Sequence, residues 1–198
     1  MIDVASVWRT ARRAVHDALW RVENLRGIAG VEARGRDIEI RQNVVIVNAE
    51  RLICPGPLRI EHGCFFHCGG NSWSNFQGEI RIGRGCWFSQ NNVVYGAGGV
   101  EVGDHSGTGP NVMIFSSRDN YSMAHARKDL IVHHFGPVRI GSHVRIFSNV
   151  VVGPGITIGE GAVIGANSLV LRDIPPWVIA AGSPARVLRP RDKDSVDP

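Results

Sequence analysis

Ile140, Ile146, Val152, Ile158, Ile164 and Val170 occupy every sixth position without a slip. No other feature limits the fold as strongly. An apolar residue at each sixth position, with small turns between, suits a coil with three short flat faces. One such coil cannot bury its own inward side chains, so coils must stack into a solenoid. A second rank runs two positions earlier through Val138, Val144, Val150, Ile156, Ala162 and Ser168. Its members shrink toward the C-terminus, as residues in a crowded corner do. Glycines such as Gly153, Gly155 and Gly161 fall between the ranks, where tight corners call for positive φ.

The period continues upstream, less cleanly. Ile82, Phe88 and Val94 are six apart, as are Val102, Thr108 and Ile114, Ile60 and Phe66, and Ile40 and Ile46. Coils are therefore expected to start near 40, 60, 82, 102, 140 and 158. Where successive starts lie farther apart than one straight coil needs, bulges or loops must intervene. The largest excess holds Ser116 to Phe135, a polar stretch rich in His, Arg and Asp. A long irregular excursion from a regular scaffold is a prime place for function.

The stretch VRIGSHVRIFSNVVVGPGITIGEGAVIGANSLVLRDIPPWVIAAGSPARVLR, from Val138 to Arg189, resembles the C-terminal half of the hexapeptide-repeat acyltransferases. It resembles especially the sugar and galactoside O- or N-acetyltransferases. The tail pattern IGxGAVIGAxSxV followed by DIPPxxIxAGxPAxxxR is matched almost throughout, and weaker similarity reaches back to about Ile60. The resemblance implies an all-β fold, a left-handed parallel β-helix of hexapeptide repeats. It also implies acetyl-coenzyme A as co-substrate, no metal, and a homotrimer with active clefts between subunits. Periodicity alone implies only a stacked solenoid, and the general rule for parallel crossovers favours the opposite hand.

Length fits one domain with a sizeable core. The organisation expected is an N-terminal helix within 1–27, a β-helix over 28–189 with the excursion at 116–137, and a loose tail over 190–198. No run approaches the ~18 apolar residues of a membrane span. Arg9, Arg12 and Arg13 interrupt any signal-peptide core, so the cytoplasm is the expected compartment. A net charge of +4 suits an anionic coenzyme or nucleotide-sugar. No basic stripe interleaved with aromatics points to nucleic acid.

Residues 3 to 24 read as a helix. Val4, Trp8, Ala11, Val15, Leu19 and Val22 fall on one face, Asp3 can cap its start, and Gly27 lies just beyond its expected end. That face is expected to cover the open end of the solenoid; an oligomer contact and a membrane-surface helix are the alternatives. Residues 25 to 37 read as a connector. Cys64 and Cys86 precede core positions by two and read, with Cys54 and Cys68, as reduced thiols in the core. His62, Cys64, His67 and Cys68 resemble a metal box, but strand alternation turns them to opposite faces.

In the family that the chain resembles, a loop histidine removes a proton from the acceptor as it attacks the thioester. That histidine follows the last strand before the loop. Here the segment reads Phe115-Ser116-Ser117-Arg118-Asp119-Asn120, with Ser117, Arg118 or Asp119 at the equivalent position. The base is therefore sought elsewhere on the excursion: His134 and His125 first, with His133 beside them, then Asp119, which needs burial to become basic enough. His105 and His143 fall at turns and are set aside. A protein that keeps the ligand cleft without the reaction is the alternative.

Through the tail motif, Ser148, Ala166, Leu171, Arg172 and Arg189 match positions that contact coenzyme A in galactoside-type relatives. Arg172, Arg186 and Arg189 can meet its phosphates with paired charge-assisted bonds. Arg145-Ile146-Phe147 stands where such relatives usually carry Trp-Ile-Gly, which points to a more polar or anionic acceptor and a narrower coenzyme channel. The reaction implied is acetyl transfer to a hydroxyl or amino group of a sugar or sugar-like molecule. Metal-dependent hydration, as in γ-class carbonic anhydrases of the same architecture, fits poorly, because His62, His67 and His105 share no aligned rank.

Overall fold

The computed structural model describes residues 4–119 and 133–192, without the side chains of 4–11 and 13. The chain winds repeatedly through three parallel sheets. Face one holds Ile38–Ile40, Leu58–Ile60, Cys86–Phe88, Gly107–Thr108, Arg145–Ile146, Val163–Ile164 and Val178–Gly182. Face two holds Val45–Val47, Phe65–His67, Val93–Tyr95, Met113–Phe115, Val151–Val152 and Leu169–Val170. Face three holds Leu52–Ile53, Ile80–Ile82, Val100–Val102, Val138–Ile140 and Thr157–Ile158.

The six-residue rank is the register of this stack. Ile140 lies between Val102 and Ile158, Ile146 between Thr108 and Ile164, and Val152 between Ile114 and Val170. Like side chains sit over like, and Ile114, Val152, Ile158, Ile164 and Val170 are wholly enclosed. The second rank is buried too, and its small members Ala162 and Ser168 stand at corners. Thr108 breaks the aliphatic rank, and its buried hydroxyl has no hydrogen-bond partner.

The corners differ in kind. Corner I, between faces one and two, is always tight. Asn111, Asn149 and Asn167 take left-handed φ there, near 58°. Their side-chain amides bond in sequence, Asn111 Nδ2 to Asn149 Oδ1 and Asn149 Nδ2 to Asn167 Oδ1. Corner III, between faces three and one, is equally constant, and stacks the exposed rings of His105 and His143 at 5.4 Å. Corner II, between faces two and three, takes up all the extra length. It holds the short 3-10 turn Ala49–Arg51, the segment around the 3-10 turn Ser72–Ser74, and the excursion after Phe115. On face one, Gly107 leaves room for the Trp87 ring to lie across it, and the Arg145 guanidinium stacks on Trp87 at 4.1 Å.

Both ends are covered. At the C-terminal end, Ala185–Pro190 folds back antiparallel on Val178–Gly182. At the other end lies helix α1, Val4–Arg34. It runs through the stretch read as a connector, with Gly27 inside it. A Cβ at Gly27 would stand 2.9 Å from that of Ala49, so this glycine permits close packing and does not end the helix. Packing against the coil overrides the weak helix propensity of glycine. Asn24 seals the first edge of face two, donating to Val44 O and accepting from Ile46 N. Val31 is 2% exposed against the core. Of the face expected to be the lid, Val15, Leu19 and Val22 are exposed and point the other way, while the side chains of Val4, Trp8 and Ala11 lie outside those described.

Candidate active site

The excursion leaves corner II as a two-stranded ladder. Ser117–Asp119 runs antiparallel to His133–Phe135, pairing Ser117 with Phe135, Arg118 with His134 and Asp119 with His133. Ser116 anchors its root. Its hydroxyl donates to Tyr95 O at 2.6 Å and accepts from Gly98 N, and its carbonyl accepts from Gly136 N. Ser116 is thus a buried polar clamp where the chain leaves the coil.

Pairing brings His133 Nδ1 to 2.9 Å from Asp119 Oδ1. A carboxylate at Nδ1 favours the tautomer with the proton on that nitrogen, which makes Nε2 the acceptor. His133 is half-buried, while Asp119 reaches solvent. His134 is exposed and lies on the opposite side of the ladder, since adjacent strand residues face opposite ways. His125 lies outside the described residues. Of the four candidates, the structure joins Asp119 and His133.

The imidazole of His133 packs on Trp73 at 5.0 Å, and Trp73 also stacks on Phe135 at 6.3 Å. Trp73 comes from the second insertion at corner II, held by side chains of the preceding coil: Asn48 donates to Gly69 O and Asn71 Oδ1, and Arg51 to Gly78 O. Behind Trp73 stands His67, stacked flat on Tyr95 at 5.5 Å, with Tyr95 stacked in turn on Phe115. Val47, His67, Tyr95 and Phe115 form one column by register. Burial pushes the His67 pKa down, and its Nε2 lies 2.8 Å from Asn71 Nδ2. His67 is thus a neutral structural imidazole.

His67, Trp73 and Tyr95 were not foreseen as site residues. A signal existed: the chain is too long between Phe66 and Ile82, at the same corner as the excursion. Side chains of the suspected metal box do not converge. Cys64 and Cys68 are buried in the core and His62 is exposed. Burial pushes the thiols of Cys64 and Cys86 up to about 11 and that of Cys68 to about 12, so all three stay protonated. Among the described residues, no three His, Cys, Asp or Glu side chains group to hold a metal.

The residues matched to coenzyme contacts border face two. Val152 and Val170 follow Ile114 in register, so Gly153 and Leu171 extend the column of Phe115. Leu171 folds over Gly153, and its Cδ2 would stand 3.1 Å from an added Cβ there. Arg172 is exposed at the same corner. Ser148 and Ala166 occupy successive turns of corner I, on the other border of face two. Arg189 lies apart from these four, paired with Ile179 on face one. Arg145 is half-buried, and desolvation, then the charge of Arg191, lowers its pKa.

A family model for the bacterial transferase hexapeptide (six repeats) matches residues 137–172. Residues 137–172 thus carry the hexapeptide repeat, and the coil is a left-handed parallel β-helix. Galactoside O-acetyltransferase of Escherichia coli (strain K12) is 38% identical over 132 residues, 63% of this chain. The match spans 64% of that relative's length. Among solved structures, a variant of AntD, an N-acyltransferase from Bacillus cereus in complex with dTDP-4-amino-4,6-dideoxyglucose and coenzyme A, superposes with a TM-score of 0.70 at 22% identity. That match covers 80% of this chain and 83% of AntD. A maltose O-acetyltransferase from Clostridium difficile 630 gives 0.61 at 28% identity, over 73% of this chain and 72% of the other.

Proposed function

We propose that this protein transfers an acetyl group from acetyl-coenzyme A to a hydroxyl or amino group of a sugar or sugar-like molecule. The observation that carries this reading is the His133–Asp119 pair, set in an aromatic wall where the excursion leaves the coil. An acceptor O–H or N–H attacks the thioester carbonyl, and His133 Nε2 takes its proton as the new C–O or C–N bond forms. The C–S bond breaks, and the imidazolium returns the proton to the departing thiolate. Asp119 holds the imidazole and balances its charge during the step. Asp119 thus acts through His133, and desolvation need not make it a base in its own right.

The thioester arm runs along the column from Leu171 to Phe115, with Ser148 and Ala166 on the far border and Arg172 toward the phosphates. Arg189 reaches the same coenzyme from a neighbouring copy, in a homotrimer whose clefts lie between subunits. Relatives named for galactoside and maltose, and AntD with its dTDP-sugar, support a sugar acceptor. The cytoplasm, where acyl-coenzyme A is made, suits this chemistry.

Release of free thiol from acetyl-coenzyme A, measured across a panel of sugars, amino sugars and nucleotide-sugars, tests the reading. Acceptor-dependent release is expected. Coenzyme binding without release to any acceptor would replace it with a ligand-binding role for the same cleft. Light scattering showing a stable monomer would overturn the trimer.

A further inference from the structure

Among the described residues, nothing packs on the outward face of α1. At about 100° per residue, Val15, Leu19 and Val22 lie opposite Asn24, Gly27 and Val31, which meet the coil. Val15 is 59% exposed, Leu19 60%, Val22 46% and Leu25 65%. Four large apolar side chains on one helix face are too many to leave to water without a reason. Arg12 borders this strip on one side and Arg21 on the other, Arg26 falls within it between Val15 and Leu19, and all three are exposed. Of the acids nearby, Asp17 meets the His16 ring, Glu23 lines the cleft between helix and coil with Arg26, and Glu32 is exposed about two turns beyond Leu25.

We infer that α1 lies flat on an anionic lipid surface, with Val15, Leu19, Val22 and Leu25 in the acyl–headgroup boundary. Arginine stems can reach along the strip and set their guanidinium groups among lipid phosphates. The alternative occupant, the same helix of a second copy in parallel, places Arg21 against Arg26 of its partner at the flanking positions of a helix pair. Like charges there oppose association, whereas anionic headgroups satisfy both. No described helix is long and apolar enough to cross a membrane, so the contact is superficial. Because α1 covers the end of the solenoid, the coil would stand away from the surface with its long faces open. This inference is independent of the transfer reaction.

Flotation of the full-length protein with vesicles tests it. Wild type is expected to float with phosphatidylcholine vesicles containing phosphatidylglycerol, and not with phosphatidylcholine alone. Leu19→Asp with Val22→Asp should lower binding by at least about tenfold, and so should Arg12→Glu with Arg21→Glu. Thermal melting should be unchanged in both, since the altered side chains do not touch the coil. Raising salt to about 0.5 M should also weaken binding. Failure of wild type to float with the anionic vesicles overturns the inference. So does full binding by the Leu19→Asp, Val22→Asp variant. A fall in particle mass with that variant would identify the face as a contact between copies, and would equally overturn it.

Discussion

Corners I and II of the same coil obey opposite rules. At corner I the spacing from face one to face two never changes: Ile40 to Ile46, Ile60 to Phe66, Phe88 to Val94, Thr108 to Ile114, Ile146 to Val152 and Ile164 to Val170 are all six apart. At corner II the chain passes from Phe66 to Ile82 in one coil and from Ile114 to Ile140 in another, yet from Val152 to Ile158 in a third. A corner with a bonded asparagine ladder cannot take an extra residue without losing its register. One corner free of that ladder can carry insertions from several coils, and these meet in space. Trp73 and His133 come from different coils and touch for that reason.

The comparison breaks if corner II proves structural or if the constant coil proves catalytic. His133→Ala should lower turnover by about 10²–10⁴-fold while leaving the melting temperature nearly unchanged. A large loss of stability, or full activity, would end the division. Ile158→Ala, in the enclosed rank, should cost about 2–5 kcal/mol in chemical unfolding while the folded fraction keeps its specific activity. Thr108→Val tests the same rank from the other side. Removing a buried hydroxyl without a partner should raise stability by about 1–2 kcal/mol, and unchanged or lower stability would show that the hydroxyl is satisfied.

A smaller effect is expected for the arginines. Arg172→Ala and Arg189→Ala should each weaken coenzyme A binding by about tenfold or less, because exposed charge contacts are screened. Titration calorimetry at low salt reads this directly, and unchanged affinity in both would remove the phosphate role. The gentlest probe is pH. The His67 pKa is lowered by folding, so its contribution to stability is present above about 6.5 and fades as pH falls below that. The values for Cys64, Cys68 and Cys86 are raised, so theirs is full below about 9 and is lost as pH climbs toward 11–12. Urea midpoints should peak between these limits. A midpoint that holds steady through mild acid would dismiss the His67 contribution.

Reading the sequence recovered the coil well because period six reports burial directly: Ile140 to Val170 were placed in register from spacing alone. It recovered the site poorly, for two physical reasons. The His133–Asp119 contact depends on antiparallel pairing inside the excursion, and no periodicity reports that pairing. Trp73 reaches the site from a coil far back in the chain, so only stacking makes it a neighbour. The helix failed differently. Val15, Leu19 and Val22 do share one apolar face, but an amphipathic pattern does not say which surface it answers, and the coil is held by Asn24, Gly27 and Val31 instead.

The two end closures have a mechanical consequence. Coils in a solenoid touch only their neighbours, so tension between the termini passes through them one after another. At the C-terminal end it meets a strand folded back along Val178–Gly182 in an antiparallel ladder. At the other end it meets Asn24 with two side-chain bonds and Arg34 with bonds to Ala49 O and Leu52 O. Pulled by both ends, the chain would unravel from its first coil. The His133–Asp119 pair would be reached only after the coils that begin at Ile38, Leu58 and Cys86 had come away.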